Sequence, residues 1–580
     1  MSPSNRRGLG ARVGFLAAFV AFSACVGERP APGPPAGAPT IEEMTHALGR
    51  DVVRHMARGY VPGRSGDILL APAPWNVLGQ WNNGLRGVAD PRTTHATPWS
   101  YHQRVPLVLY GPGHVRSGGQ SERSVDLADV APTLGELLGF EFAAPEGEPL
   151  EESLVPPQER SVSPRAVVVV AYDGGGWNVL EQWPDAWPVL RQLAADGFTY
   201  TNATVGSSPS LTAPVHANLG TGGYPRDHGL PENTARRPDG EISELFYKRA
   251  DPVLLRGPTL ADAWDAANEN GSWVGLLGFE SWHLGMMGKG ARAPGGDHDV
   301  AILWEREEFD WRTNEEAYRL PGYLPDPTEL APLLHELDAK DGSRDDHWLG
   351  NDLFSGDTFI LPGTPAFVEL QAEALERLIR REPIGRDPLT DFLFVELKST
   401  DYAGHIWNML RPEVREVLET QDRVLGDLVA WLDQTVGPGQ WVLTVTADHG
   451  QTPIPSTTGG LRIDRVRLEE DIEEYFGVDI VEALHPTELY VDRDELREAE
   501  LSMEDVARYV GDYRYGDGLP EGTDTATIPP ELRRRRVFAG ALPGGLVGAM
   551  SDADIDALGL GAYPEGDLAT PPDHENLLTR

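Results

Sequence analysis

Val167-Val168-Val169-Val170-Ala171-Tyr172-Asp173-Gly174-Gly175-Gly176 decides the fold of this chain. Small and β-branched apolar residues run into a carboxylate and then into three glycines. The unbroken apolar run predicts a strand buried on both faces, and the glycines predict a tight turn after it. Open α/β sheets bind ligands at the carboxyl ends of their strands, so Asp173 stands where chemistry belongs. The pattern recurs. Asp391-Phe392-Leu393-Phe394-Val395-Glu396-Leu397 leads to Asp401 and His405, and Trp441-Val442-Leu443-Thr444-Val445-Thr446-Ala447 leads to Asp448-His449-Gly450. Three strands thus deliver Asp and His to one rim of an α/β sheet.

The chain has 580 residues, enough for one large or two to three domains. Its 90 acidic against 49 basic residues give a formal charge of -41, which argues against nucleic-acid binding, since that requires a basic footprint. Arg6, Arg7 and Arg12 precede an apolar run, Val13 to Ala24, too short to span a bilayer. The run ends Phe22-Ser23-Ala24-Cys25, which resembles the lipobox of bacterial lipoproteins. Cys25 is the only cysteine, so no disulfide can form within the chain. The expectation is a signal peptide over 1–25, lipidation at Cys25, and an exported protein anchored to a membrane of the bacterial cell envelope through that lipid. Residues 26–40, rich in Pro, Gly and Ala, read as a tether.

Residues 41–142 carry a helix-like start, two short strands, and a loop Thr93-Thr94-His95-Ala96-Thr97-Pro98-Trp99 between them. Prolines among charges over 143–164 read as a linker. The main α/β segment runs over 165–455, with 239–385 read as a loop-rich insert or cap. Residues 456–540 read as a smaller α+β piece, and 541–580 as a weakly structured tail.

An Asp and a His four residues apart, as in Asp401 and His405, converge on one metal if their segment is helical. With Asp448, His449 and Asp173 they supply five N/O ligands, which suit zinc but also manganese and iron. Ser207-Ser208-Pro209-Ser210-Leu211-Thr212-Ala213-Pro214 leads into a small-residue helix, with Pro214 in its first turn. Thr212 then sits at a helix N-terminus, where a phosphate is favoured. A plain N-cap threonine is the alternative, and Ser208 and Ser210 are the other candidate nucleophiles.

Taken in order, Tyr172-Asp173-Gly174, Thr212-Ala213-Pro214, the stretch Thr221 to Gly229, Asn233, Asp401 to His405 and Asp448-His449-Gly450 resemble the alkaline phosphatase superfamily. The branch they resemble is the type I phosphodiesterase/nucleotide pyrophosphatase group. The resemblance implies a three-layer fold, with a mostly parallel central sheet and helices on both faces. It also implies two divalent metal ions, most simply zinc. Asp173, Thr212, Asp448 and His449 would hold one ion; Asp401 and His405 would hold the other. Thr212 would be the nucleophile, passing through a phosphothreonine, and Asn233 would donate to the phosphoryl oxygen. His228 is expected to be structural. The second ion needs a further histidine, which in the family follows the Asp-His-Gly motif. Downstream here stand only His485 and His574, neither in the right setting, whereas Thr94-His95-Ala96 upstream has it, with Ala96 in place of the usual glycine. This implies a circular permutation, with the family's closing block at 41–142 and His95 as the missing ligand. Permutation is tolerated where chain termini lie close together.

The expected activity is hydrolysis of phosphate esters, leaning to phosphodiester or nucleotide pyrophosphate substrates. Some phosphomonoesterases of the superfamily use a closely spaced Lys–Arg pair, and the nearest candidates here, Lys289 and Arg292, are more widely spaced. Alkaline phosphatase activity, phosphoethanolamine-type transfer and a non-catalytic binding lipoprotein are the alternatives. No Cys or Ser stands in a C/S-x-P-x-R run, which disfavours a sulfatase.

Overall fold

The computed structural model describes residues 31–79, 94–160, 162–245, 250–306, 308–356, 359–519 and 525–563. The expected signal peptide, Cys25 and His574 lie outside these residues. Among the described residues, no helix is long and apolar enough to cross a membrane.

The apolar run before Asp173 is the strand Ala166–Tyr172, every residue of it buried. It lies at the middle of an eleven-stranded sheet. Along the sheet the order is Asp310–Arg312, Asp299–Glu305, Val274–Leu277, Asp391–Leu397, Ala166–Tyr172, Trp441–Ala447, Arg104–Tyr110, Phe198–Thr204 and Gly119–Ser121. The central strands are parallel, and Arg104–Tyr110 runs antiparallel to both its neighbours. This is the mostly parallel sheet with helices on both faces that was expected. Two long helices pack on each other beside it, Pro365–Arg381 and Pro412–Thr435. Each begins with proline, whose missing N–H costs nothing in a first turn. The longer one buries Val414, Val417, Leu418, Gln421, Leu425, Leu428 and Leu432, the three-and-four spacing of one helical face.

A second, four-stranded sheet has the order Val481–Leu484, Glu488–Val491, Ile68–Pro72 and Phe538–Pro543. Its core draws on Ile68, Leu70, Leu489, Val506, Phe538 and Ala541.

Four expected boundaries change. Residues expected to form a tether are docked at their far end: Ala38 is buried, the Arg508 side chain donates to the Pro39 and Ala38 carbonyls, and Tyr475 donates to Gly33. Apolar anchoring there overrides composition. The Pro-rich stretch 143–160 is no free linker, because Leu150, Ser153 and Leu154 are buried and Gly147 N–H bonds the Gly222 carbonyl. The 239–385 segment is not merely a cap. It supplies Val274–Leu277 and Asp299–Glu305 to the main sheet, strands too short or too acid-flanked to stand out against scattered Trp and Pro. The tail is ordered where it continues Phe538–Pro543, which pairs with Ile68–Pro72 along the length of both strands. That pairing takes residues 68–72 into the second sheet, while 104–110 enter the first.

Leu107, fully buried, sits on the antiparallel strand between the Asp448 strand and Phe198–Thr204. Leu107→Ala is expected to cost roughly 2–5 kcal/mol. Chemical denaturation followed by circular dichroism measures this, and an unchanged midpoint would show that the strand is peripheral.

Candidate active site

The register of three strands builds the site. Tyr172 pairs with Leu397 on one side and with Ala447 on the other. The next residue of each strand is therefore Asp173, Lys398 and Asp448, level with one another. The chain turns sharply after Asp173 because Gly174 takes φ +69° and packs against Asp401, where a Cβ would lie 3.0 Å from the Asp401 Cα. The Gly174 N–H donates to Asp448 Oδ1 at 2.9 Å. Lys398 caps the helix Ser399–Trp407, which carries Asp401 in its first turn and His405 one turn later. His405 Nε2 lies 3.2 Å from Asp401 Oδ1, the convergence that the four-residue spacing implies. Gln421 clamps this corner: its amide donates to the Leu397 carbonyl at 2.9 Å and its oxygen accepts from Thr400.

His95 arrives from the other end of the chain. Its loop is pinned on both sides, by bridges from Ala96 to Ser210 and from Thr94 to Thr452. Its Nδ1 lies 3.0 Å from the Ser210 carbonyl, and its Nε2 lies 3.7 Å from Asp401 Oδ1. The ring stacks on His449 at 3.6 Å between centroids. Ala96 takes φ +100°, a conformation that favours the glycine it replaces.

Thr212 opens the helix Thr212–Thr221, every residue of which is buried. The Asn233 carbonyl oxygen accepts from the Ala213 N–H at 2.9 Å, which fixes its amide NH2 as the free donor end. Ser210 is occupied structurally, accepting from Gln103 at 2.6 Å and donating to the Thr97 carbonyl. His228 Nε2 pairs with Asn218 Oδ1 at 2.9 Å inside the protein, away from the acidic cluster. His485 pairs with Glu232. Lys289 and Arg292 stand apart from the cluster. Arg292, with its side chain 38% exposed, pairs with Asp251 and Glu316, because its short 3-10 turn faces the surface.

The sequence reading missed Lys398, His216, His283 and Glu396. Lys398 Nζ lies 2.7 Å from Asp173 Oδ2 and 2.9 Å from Asp401 Oδ2. His283 Nε2 lies 3.4 Å from Asp173 Oδ2 and 3.5 Å from Glu396 Oε1. His216 Nδ1 faces the Thr212 carbonyl at 2.7 Å. His216 could have been found, since it lies one helical turn from Thr212. His283 ends the short 3-10 turn Ser281–His283, which has no strong sequence signal.

The chemistry of the buried atoms tests whether ions belong here. Asp173 Oδ1, Asp401 Oδ1, Asp448 Oδ2 and His449 Nε2 are buried without a hydrogen-bond partner. Unpaired carboxylate oxygens are not left in a protein interior without a cation or a proton. Asp173 Oδ1 and Asp448 Oδ2 both approach His449 Nε2, at 3.6 and 3.3 Å. Asp173, Asp401 and His449 form one group of converging ligand atoms, and His95, Asp401 and His405 form another. Burial lowers the His449 imidazole to about 4, against the pull of Asp173 and Asp401, so its ring is neutral and fit to bind a metal. Burial likewise holds His95 well below the usual imidazole range. Burial opposes the Lys398 charge, but Asp173, Asp401, Asp448 and Glu396 outweigh it and keep the ammonium.

Residues 167–537, well over half the chain, match the family model of type I phosphodiesterase / nucleotide pyrophosphatase. The chain belongs to that family. As a type I phosphodiesterase / nucleotide pyrophosphatase family member it is a phosphoric ester hydrolase of the alkaline phosphatase superfamily. It is similar to a protein named calcium-transporting ATPase from Myroides odoratus, 24% identical over 446 residues, 66% of this chain and 80% of that one. It is also similar to alkaline phosphatase PafA of Elizabethkingia meningoseptica, 25% identical over 400 residues, 60% of this chain and 72% of that one. The crystal structure of wild-type PafA shares the fold at a TM-score of 0.50 and 20% identity, covering 65% of this chain and 84% of that chain.

His95→Ala should lower the divalent metal content, because the His95, Asp401 and His405 group loses an imidazole. Elemental analysis of the purified protein reads this directly, and unchanged stoichiometry would detach His95 from the centre.

Proposed function

We propose that this chain hydrolyses phosphate esters through a phosphothreonine formed on Thr212. The observation that carries this reading is the set of buried oxygens of Asp173, Asp401 and Asp448 and the His449 Nε2 without hydrogen-bond partners, tied to the buried Thr212 through Lys398 Nζ, which bonds Asp173 and Asp401 and lies 3.5 Å from Thr212 Oγ1. Two divalent ions, most simply zinc, would be held by Asp173, Asp448, His449 and Thr212 and by Asp401, His405 and His95, and would supply Lewis acidity and charge neutralisation.

Within that frame the protein's own groups act in sequence. Thr212 Oγ gives up its hydroxyl proton and attacks phosphorus in line, forming one P–O bond as the ester P–O bond breaks. The leaving oxygen departs on the Asp401, His405 and His95 side and takes up a proton. The Asn233 NH2, oriented because its carbonyl is tied to Ala213 N–H, donates to a phosphoryl oxygen as charge builds there. Water then attacks the phosphothreonine from the vacated side, its P–O bond forming as the Thr212 Oγ–P bond breaks; a proton returns to Thr212 Oγ, and a phosphate monoester (from a diester) or phosphate (from a monoester) is released. Family membership favours phosphodiester or nucleotide pyrophosphate substrates, whereas PafA is named an alkaline phosphatase.

The opening block of the chain serves as the family's closing block, joined in permuted order. In support, the family match begins at residue 167, yet Arg104–Tyr110 lies within the main sheet and His95 lies beside Asp401. The chain is anchored in the bacterial envelope through Cys25.

Thr212→Ala should abolish turnover on aryl phosphate esters, at least ~10³-fold, with metal content retained. Asn233→Ala should lower kcat by about 10²–10³-fold. Full activity of Thr212→Ala would remove the phosphothreonine. Metabolic labelling with a tagged fatty acid should mark the wild type and not Cys25→Ala; equal labelling of both would place any lipid elsewhere.

A further inference from the structure

Lys398 is the cation that the sequence motifs did not supply. Register places it on the same rung as Asp173 and Asp448, and its Nζ reaches an oxygen of Asp173 at 2.7 Å and of Asp401 at 2.9 Å. The same nitrogen is 3.5 Å from Thr212 Oγ1. The residue is 3% exposed. Among the described residues, no other lysine or arginine forms an ion pair or hydrogen bond with Asp173, Asp401 or Asp448. Lys398 bonds Asp173 Oδ2, which His283 Nε2 also approaches, and Asp401 Oδ2, whereas Asp173 Oδ1 and Asp401 Oδ1 have no hydrogen-bond partner. It therefore orders the two carboxylates while leaving one oxygen of each without a hydrogen bond.

We infer that Lys398 is a catalytic residue whose fixed positive charge, set against the attacking oxygen of Thr212, selects dianionic phosphomonoesters over monoanionic phosphodiesters. This rests on the phosphothreonine reading and assigns, within it, a substrate preference opposite to the diester preference that family membership favours. The physical basis is that a buried ammonium is poorly screened and interacts in proportion to the charge it meets. A phosphomonoester brings two negative charges and a diester brings one. A phosphoryl group attacked by Thr212 Oγ1 places its non-bridging oxygens within reach of Nζ. The dianion therefore gains more from Lys398, both on binding and as the P–O bond forms.

The test measures kcat/KM of the full-length enzyme on an aryl phosphate and on the matching methyl aryl phosphate. Wild type is compared with Lys398→Met, which keeps the bulk and removes the charge, and with Lys398→Gln, which keeps polar contacts to the aspartates. Metal content is measured on the same samples. With metal content retained, the monoester rate should fall on the order of a hundredfold and the diester rate less than tenfold. The monoester-to-diester ratio then falls at least about tenfold, and Lys398→Arg, which keeps the charge, should recover part of it. A ratio unchanged in a folded, metal-replete variant overturns the inference, whether both rates fall or neither does. If neither neutral variant folds or holds metal, Lys398 is a structural counter-charge and the inference is likewise rejected. Activity on neither ester by the wild type would instead overturn the phosphothreonine reading.

Discussion

Three carboxylates, Asp173, Asp401 and Asp448, are held together inside the protein, and their mutual repulsion is the constraint the rest of the structure answers. Two of them follow paired residues of neighbouring strands, so the sheet cannot form in register without bringing them side by side. Bare carboxylates in that setting would take up protons or force the strands apart. The answers are local and specific. The Gly174 N–H bonds one oxygen of Asp448, the Lys398 ammonium spans Asp173 and Asp401, and neutral imidazoles line the remaining side. What stays unpartnered is a set of inward atoms suited to divalent ions. Ion binding and folding are therefore one problem here, because the ligands are brought together only when the strands pair.

The ligands come from segments far apart in sequence, and the geometry of each follows from its own element. Asp173 and Asp448 stand at strand ends, Asp401 and His405 one turn apart on a helix, and His95 on a loop stitched to its neighbours by two bridges. Glycine is required where these segments crowd: a side chain at Gly174 would strike Asp401, and one at Gly404 would meet the Gln451 amide. Gln421, from a separate helix, reinforces this corner through the Leu397 carbonyl.

Much of this was legible in the sequence because strand ends announce themselves. The apolar runs before Asp173, Asp401 and Asp448 fixed both the fold class and the rim, and the Asp401–His405 spacing foretold a shared helix face. Other features had no local signature. Lys398 follows a buried strand directly, and its importance comes from the register of two partners, which composition does not encode. The strands Val274–Leu277 and Asp299–Glu305 gain their place from neighbours in the sheet rather than from their own pattern. Residues 541–543 look like the start of a loose Gly-rich tail, yet their strand is stabilised by Ile68–Pro72, hundreds of residues away. Long-range pairing is the common reason for each miss.

The loop bearing His95 lies between a strand of the four-stranded sheet, Ile68–Pro72, and a strand of the large sheet, Arg104–Tyr110. A cation gripped by that imidazole together with Asp401 would act as a removable staple between the two sheets. Its grip would be felt well beyond the catalytic corner, and the cooperativity of the whole molecule would depend on whether the staple is in place.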